Sequence, residues 1–317
     1  MNRIFQYLPL VIALSSIFSS CEKLLEFDVG TIEPEVVMNA NAQTGKTMTV
    51  RVTHSRFFLD THNFTAIDDA TLSLNANGTD YPQSGFQNGS YVFNYVPQPG
   101  DTLELTAQVS GHENVVAGTR VPQVAQVDGV STHMSPSEES QAVIQFTLHD
   151  PGSERNYYRL RIRSADTSIY TYNSRTDTVI NGYDNVFRCA DVRLFGQNDI
   201  YTVVDGGVET SALLFSDESF NGTAPTLSVQ MSYWQAEKST DDVKDGYDVS
   251  HYYIIVESLS YELYRYYTDI TASDDDIAFF NEPTRVFSNV KHGLGIFGAT
   301  TTTVKELTMP TSSNSRK

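Results

Sequence analysis

Cysteine is almost missing from this chain. Its 317 residues hold two, Cys21 and Cys189, which excludes a disulfide-stapled scaffold. Positive charge is scarce too: 21 Lys and Arg stand against 39 Asp and Glu, for a net charge of −18. A surface of that sign repels phosphate backbones, so no nucleic acid is expected as a partner. It also disfavours docking on anionic lipid by charge alone. Long apolar runs are absent after the first 18 residues, so the body of the chain is expected to carry no helical membrane span. The patterns H-E-x-x-H, G-x-S-x-G, C-x-x-C and the full phosphate loop G-x-x-x-x-G-K-[ST] do not occur, since Gly45-Lys-Thr47 has Ala40 where the loop's first glycine belongs, which removes the usual footing for zinc proteolysis, serine hydrolysis, dithiol chemistry and phosphate-loop binding. The seven histidines are scattered without ligand spacing, so no metal and no cofactor is expected. No carboxylate pair among 39 stands out as an acid and base. The chain is expected not to be an enzyme.

What is present begins with an export signal over residues 1–20. Arg3 supplies the positive end, Ile4 to Phe18 is apolar apart from interruptions such as Gln6, and Ser19-Ser20 lead to Cys21. Small residues directly before a cysteine resemble a lipoprotein signal-peptidase box, which makes Cys21 the expected lipid-attachment site. Each acyl CH₂ buried in a bilayer contributes ~0.8 kcal/mol, so a triacylated cysteine anchors stably. Residues 21–29 then read as a tether. Cys189 lies in Phe187-Arg-Cys-Ala-Asp-Val192, a strand-like setting with no base supplied, and reads as a small buried hydrophobe.

From residue 30 the punctuation is that of short strands. Lys46–Val52 alternates, Ala70–Leu74 runs into the hairpin signal Asn77-Gly78, and Asp101–Val109 puts its apolar side chains on one face. Hydrophobic content of 40% suffices for buried cores. The fold class expected is all-β, with two antiparallel sandwich-like domains. The first, immunoglobulin- or transthyretin-like, covers 30–122, and the second, β-rich, covers 123–310, with a tail at 311–317. Pro122 and the polar Ser135–Ser140 mark the break. Ala142–Leu148, Tyr157–Arg163, Leu227–Trp234 and Tyr252–Val256 are further strands, while 164–210 pairs in no evident way. Leu259, Leu263, Tyr266, Tyr267 and Ile270 fall at helical spacing behind Ser260, a ready N-cap. One short helix near 259–270 is expected, packed on the sheet that holds Val286 and Ile296.

Gly293-Leu-Gly295-Ile-Phe-Gly298 fits G-x-G-x-x-G. A dinucleotide turn needs a following helix and an acidic residue ~20 positions on. Here the β-branched run Thr300–Val304 follows instead and suits a strand.

The same stretch carries a resemblance. Asp150-Pro-Gly152 leading into Asn156–Ile162, Leu214–Asp217 through Phe220-Asn-Gly222, the Tyr-rich Leu259–Ile270, and Pro283-x-x-Val286-Phe-Ser-Asn-Val290 with the glycine run occur in that order. Together they resemble the domain-of-unknown-function 4249 family of Bacteroidota lipoproteins, over Cys21 to Ala299. The resemblance implies an outer-membrane-anchored β protein with no assigned activity. Genes of this family often sit beside TonB-dependent transporters, so a transporter of that class is the implied partner, besides outer-membrane lipid. In Bacteroidota an acidic tether such as Glu22, Glu26 and Asp28 looks like a surface-export mark, so the protein is expected to face outward.

Remaining candidates each have a plainer reading. Tyr233, Trp234 and Tyr247 are proposed as a binding rim, although tyrosine is also an ordinary strand residue. Thr102 and Thr178, in Asp-Thr-Leu and Asp-Thr-Val, resemble short O-glycosylation motifs of exported Bacteroidota proteins. Asp241–Asp248 offers oxygen ligands and a Gly turn, but its spacing departs from the EF-hand and Lys244 interrupts it; a solvated turn is the favoured reading. The functional expectation is a non-catalytic binding or accessory subunit. Its rivals are a structural or adhesive surface protein, and a hydrolase whose site the sequence does not display.

Overall fold

Alternating apolar and polar residues make the first half of the chain a succession of strands: β1 (Val36–Gln43), β2 (Thr49–His54), β3 (Thr71–Ala76), β4 (Thr79–Gln87), β5 (Ser90–Phe93), β6 (Thr102–Gln108) and β7 (Val115–Arg120). In β3, Leu72, Leu74 and Ala76 point inward, and in β6 Leu103, Leu105 and Ala107 do so. Between β3 and β4, Asn77 and Gly78 both take positive φ, 53° and 84°, the backbone of a tight hairpin turn whose twist matches its strands. The second half continues with β8 (Gln126–Met134), β9 (Gln141–His149), β10 (Tyr157–Tyr172), β11 (Arg175–Asn185), β12 (Phe187–Cys189), helix α1 (Val192–Phe195), β13 (Val208–Thr210), β14 (Leu213–Ser216), β15 (Thr226–Ser232), β16 (Val249–Leu259), helix α2 (Tyr261–Ser273) and β17 (Leu294–Leu307). This computed structural model describes residues 33–56, 64–136, 141–172, 175–195, 201, 203–233, 249–273 and 286–310; at 166–172, 175–180, 249–250 and 273 it describes the backbone alone. Among the described residues, no helix is long and apolar enough to cross a membrane.

The fold is all-β and sandwich-like. A twelve-stranded sheet runs β11-β10-β16-β17-β1-β2-β5-β4-β3-β6-β7, with β14 also on β10, and a five-stranded sheet runs β13-β12-β15-β9-β8. Two cores divide near residue 122. One gathers Met38, Val50, Leu74, Phe93 and Leu105; the other gathers Phe146, Leu160, Phe187, Phe215 and Ile254. Each fully buried side chain of this size stabilises the fold by ~1.5–3 kcal/mol.

One strand serves both cores. Phe297 and Ala299 of β17 complete the first, and Leu307 belongs to the second. Between them, the Thr301 and Thr303 hydroxyls donate to the Gln123 and Ala125 carbonyls at 3.0 and 2.6 Å, fastening the inter-core segment to the strand. Glu35 onward forms one compact unit.

Two expectations need correction. The sheet is not wholly antiparallel, because β17 pairs β1 in parallel, with Asn39 opposite Ile296 and Asn41 opposite Gly298. Strands at opposite ends of the chain meet there, and no local pattern announces that contact. The helix covers 261–273 rather than 259–270, since Leu259 closes β16 opposite Thr300. Ser260 caps it as expected, its Oγ accepting the Leu263 N–H at 3.4 Å. Within 164–210 the described residues form the β10–β11 hairpin, paired from Ile162↔Asn185 to Tyr172↔Arg175, followed by β12, α1 and β13.

Candidate functional site

Two of the signature segments close on each other as a clasp. Asp150 accepts the Tyr158 hydroxyl on one oxygen at 2.7 Å and the Gly222 N–H on the other at 2.8 Å. Asp217 accepts the Asn156 N–H at 2.8 Å and returns its own N–H to the Asn156 carbonyl at 3.1 Å. Gly152 and Gly222 pass so closely that a Cβ on the first would lie 2.7 Å from the Cα of the second. Asp217 is fully buried and its Oδ1 has no hydrogen-bond partner. Burial pushes its carboxyl above the ordinary range, helped by the Asp150 charge and opposed by the Asn156 bonds.

The glycine run is also architectural. Gly295 holds φ 116°, and a side chain there would run into the Met38 carbonyl. Gly298 leaves room for α2, since a Cβ would sit 2.6 Å from that of Leu263. Asn289 ties the run to its neighbours by donating to the Gly118 and Phe297 carbonyls at 3.0 and 2.8 Å, while accepting the Phe297 N–H at 2.9 Å.

With those glycines, α2 lies on the sheet face opposite the first core, over Leu214, Leu259 and Ile296. Beside it runs a groove of about 320 Å³. Its floor holds Asn39, opposite Arg51 on β2 and Ile296 on β17, together with Asn41, Thr49 and Ser90, and one wall is Tyr266 and Tyr267. Asn39 Oδ1 accepts the Ile296 N–H at 3.1 Å, and Asn41 Oδ1 accepts the Thr300 hydroxyl at 3.0 Å. Tyr267 is braced from beyond by Arg159, whose guanidinium lies 4.5 Å from the ring centroid. Arg159 in turn donates to buried Glu257 at 2.5 Å, and Arg161 bridges Glu257 to Asp184 at 3.2 and 3.0 Å. Burial works against the Arg159 charge, but the Glu257 bond together with the Tyr267 and Glu257 charge interactions outweighs it and holds the guanidinium above its ordinary pKa.

A family model described as a domain of unknown function (DUF4249) matches residues 22–306. The chain belongs to the DUF4249 family. A comparison with curated proteins returned no match.

Against this DUF4249 fold the individual candidates separate. Cys21, Trp234, Tyr247 and the Asp241–Asp248 segment lie outside the described residues. Tyr233 is a correction: its ring is packed in the second core and its hydroxyl donates to the Pro310 carbonyl at 2.7 Å, so it offers no ring to a ligand. Tyrosine suits a wet rim and a satisfied core equally well, and the sequence does not separate the two. Thr102 opens β6 with an exposed side chain. Its neighbour Asp101 is buried and accepts from Tyr95, Gln98 and Asn77 at 2.5, 2.7 and 2.7 Å. Thr178 sits opposite Ile169 on β11, and its side chain is outside the described set. Cys189 is free and buried, and burial pushes its thiol up to about 11, as suits a packing residue rather than a nucleophile. Among the described residues no group of three or more His, Cys, Asp or Glu is placed to hold a metal. The groove of α2 was not singled out from sequence. Asn39, Asn41 and Arg51 are simply the polar half of alternating strands, and only their convergence under a tyrosine-bearing helix makes a site.

Proposed function

We propose that this DUF4249 protein is a Bacteroidota lipoprotein, anchored in the outer membrane through acylated Cys21 and facing outward, that serves as a non-catalytic binding subunit of a TonB-dependent transporter. The observation that carries the anchor is the apolar run Ile4–Phe18 closing on Ser19-Ser20-Cys21, one residue before the family domain begins at 22. Binding is supported by the groove along α2, where amides, hydroxyls, one guanidinium and two tyrosine rings converge on an open sheet face. The transporter is what the family resemblance implies.

The test is a detergent pull-down of the tagged protein from its own outer membrane, with Cys21→Ala alongside. Stoichiometric recovery of a TonB-dependent barrel with the wild type, lost in the variant, is the expected result. Recovery of the wild type alone, still membrane-bound, removes the transporter and keeps the anchor. A wild type that fractionates with the soluble proteins, as the variant should, removes the anchor.

A further inference from the structure

The α2 groove has a chemistry more specific than "binding". Its lining carries one charged residue, Arg51. In a chain of net charge −18, Arg51 pairs with no carboxylate among the described residues, whereas Arg159, Arg161, Arg188 and Arg193 all do. Asn39 and Asn41 turn their Oδ1 atoms to β17, so their Nδ2 donors remain for the groove. Three side chains with free N–H groups therefore converge on one floor, and a single anionic acceptor suits them. The hydroxyls of Thr49 and Ser90 lie in the same floor, and the Tyr266 and Tyr267 rings, 6.0 Å apart, form its wall.

The floor strands also argue against a peptide. β17, β1, β2 and β5 are interior strands of the large sheet, so their backbone groups already serve the ladder and leave no edge for strand addition. A polyphosphate would bring several charges against a strongly acidic molecule. A ring bearing one carboxylate and several hydroxyls satisfies every group present: its apolar face lies on tyrosine, its hydroxyls meet amides and hydroxyls, and its carboxylate meets Arg51.

We propose that the groove between α2 and the β17-β1-β2-β5 face binds an acidic saccharide, holding a uronate carboxylate with Arg51, Asn39 and Asn41 and stacking the sugar ring on Tyr266 and Tyr267. This deepens the reading of the protein as a binding subunit, and its test needs neither lipid anchor nor transporter. Titration calorimetry of the purified full-length mature chain uses methyl galactopyranosiduronic acid, which carries one carboxylate, as the probe, its methyl ester as a neutral match, and sodium acetate as a bare carboxylate. The variants are Arg51→Gln and Tyr266→Ala, with Arg163→Gln as a control elsewhere on the sheet. Arg51 is exposed, so its replacement leaves the fold intact, which circular dichroism checks.

The expected result is saturable binding of the acid by wild type and by Arg163→Gln. Arg51→Gln and the ester should each weaken binding by about tenfold or more, in line with the loss of a charged hydrogen bond. Tyr266→Ala should weaken it as well. Acetate should bind at least about tenfold more weakly than the saccharide, because it lacks the ring. Equal binding of acid and ester, indifference to Arg51→Gln, acetate as good as the saccharide, or no heat at millimolar probe would each overturn the proposal. Any of these can occur with the transporter pull-down positive, so the two failures are told apart.

Discussion

Two buried aspartates show how opposite environments act on one side chain. Asp101 is desolvated, yet hydrogen bonds from Tyr95, Gln98 and Asn77 outweigh burial and hold its carboxyl below the ordinary value of 3.8. Its stabilising contribution is full above that ordinary value and is lost as pH falls through the lowered one. Asp217 is fully buried with an orphaned Oδ1, and burial, helped by the Asp150 charge, raises its pKa. Its sign is reversed: the carboxyl carries no ionisation penalty while protonated and becomes destabilising as pH climbs from the ordinary carboxylate range through the raised value. Urea unfolding across pH should therefore separate the variants. Asp101→Asn leaves three donors competing for one oxygen and should cost ~1–3 kcal/mol at pH 7, the loss shrinking in acid. Asp217→Asn keeps an acceptor for Asn156 and removes the buried charge, so it should match or exceed wild type at pH 7 and lose that advantage in acid. Asp217→Ala strips the acceptor from Asn156 and should be destabilising by ~1–3 kcal/mol throughout. A Asp217→Asn protein less stable than wild type at pH 7 would show that the ionised carboxylate has a partner.

At the level of elements, the seat of α2 depends on absent side chains. Gly298→Ala pushes a methyl into Leu263, and overpacking of this kind costs ~1–3 kcal/mol. Leu263→Ala alone opens a cavity beneath the helix and should cost ~2–5 kcal/mol. The double variant removes the Leu263 Cγ and Cδ1 that the new methyl would meet at 3.1 Å but keeps the Cβ it would meet at 2.6 Å, so the clash is only partly relieved and the loss should fall below the sum of the single losses by ~0.5 kcal/mol. Strict additivity in denaturant titration would mean that the two positions do not touch. The helix was legible in the sequence because Ser260 and the 3.6-residue spacing are local signals, and so was the Asn77-Gly78 turn, whose positive φ values name their residues. β4 and β8 were not, for physical reasons. β4 contains Pro82 and Gly85 and shifts register between Gln83 and Gly85; β8 buries only Val127 and shifts between Asp128 and Ser131. The strand at 300–304 was legible from β-branching, but its parallel partner lies some 257 residues away, beyond any window of periodicity. The groove stayed hidden for the same reason, since Arg51 and Tyr266 meet only once β1 and β17 have paired.

For the whole molecule, that long-range pairing decides how the chain unfolds. Composition and the break at Pro122 suggest two separable domains, and the cores do divide there. Yet β17 carries Phe297 and Ala299 into one core and Leu307 into the other, while Thr301 and Thr303 hold the segment between them. A fragment ending at Pro122 would expose the inner face of β1 where Phe297 packs, and would leave that strand's parallel edge without partners. Exposing one Phe-sized side chain costs ~1.5–3 kcal/mol, and seven ladder positions are lost with it. Set against a typical domain stability of ~5–15 kcal/mol, this should leave the fragment unfolded or aggregating. The full chain should melt in one calorimetric transition, because neither core survives removal of the strand they share. The checks are scanning calorimetry of the mature protein and circular dichroism with amide exchange on residues 30–122 expressed alone. Two resolved transitions, or a fragment with native-like protection of β3 and β6, would mean that β17 fastens two independent domains instead of joining them into one folding unit.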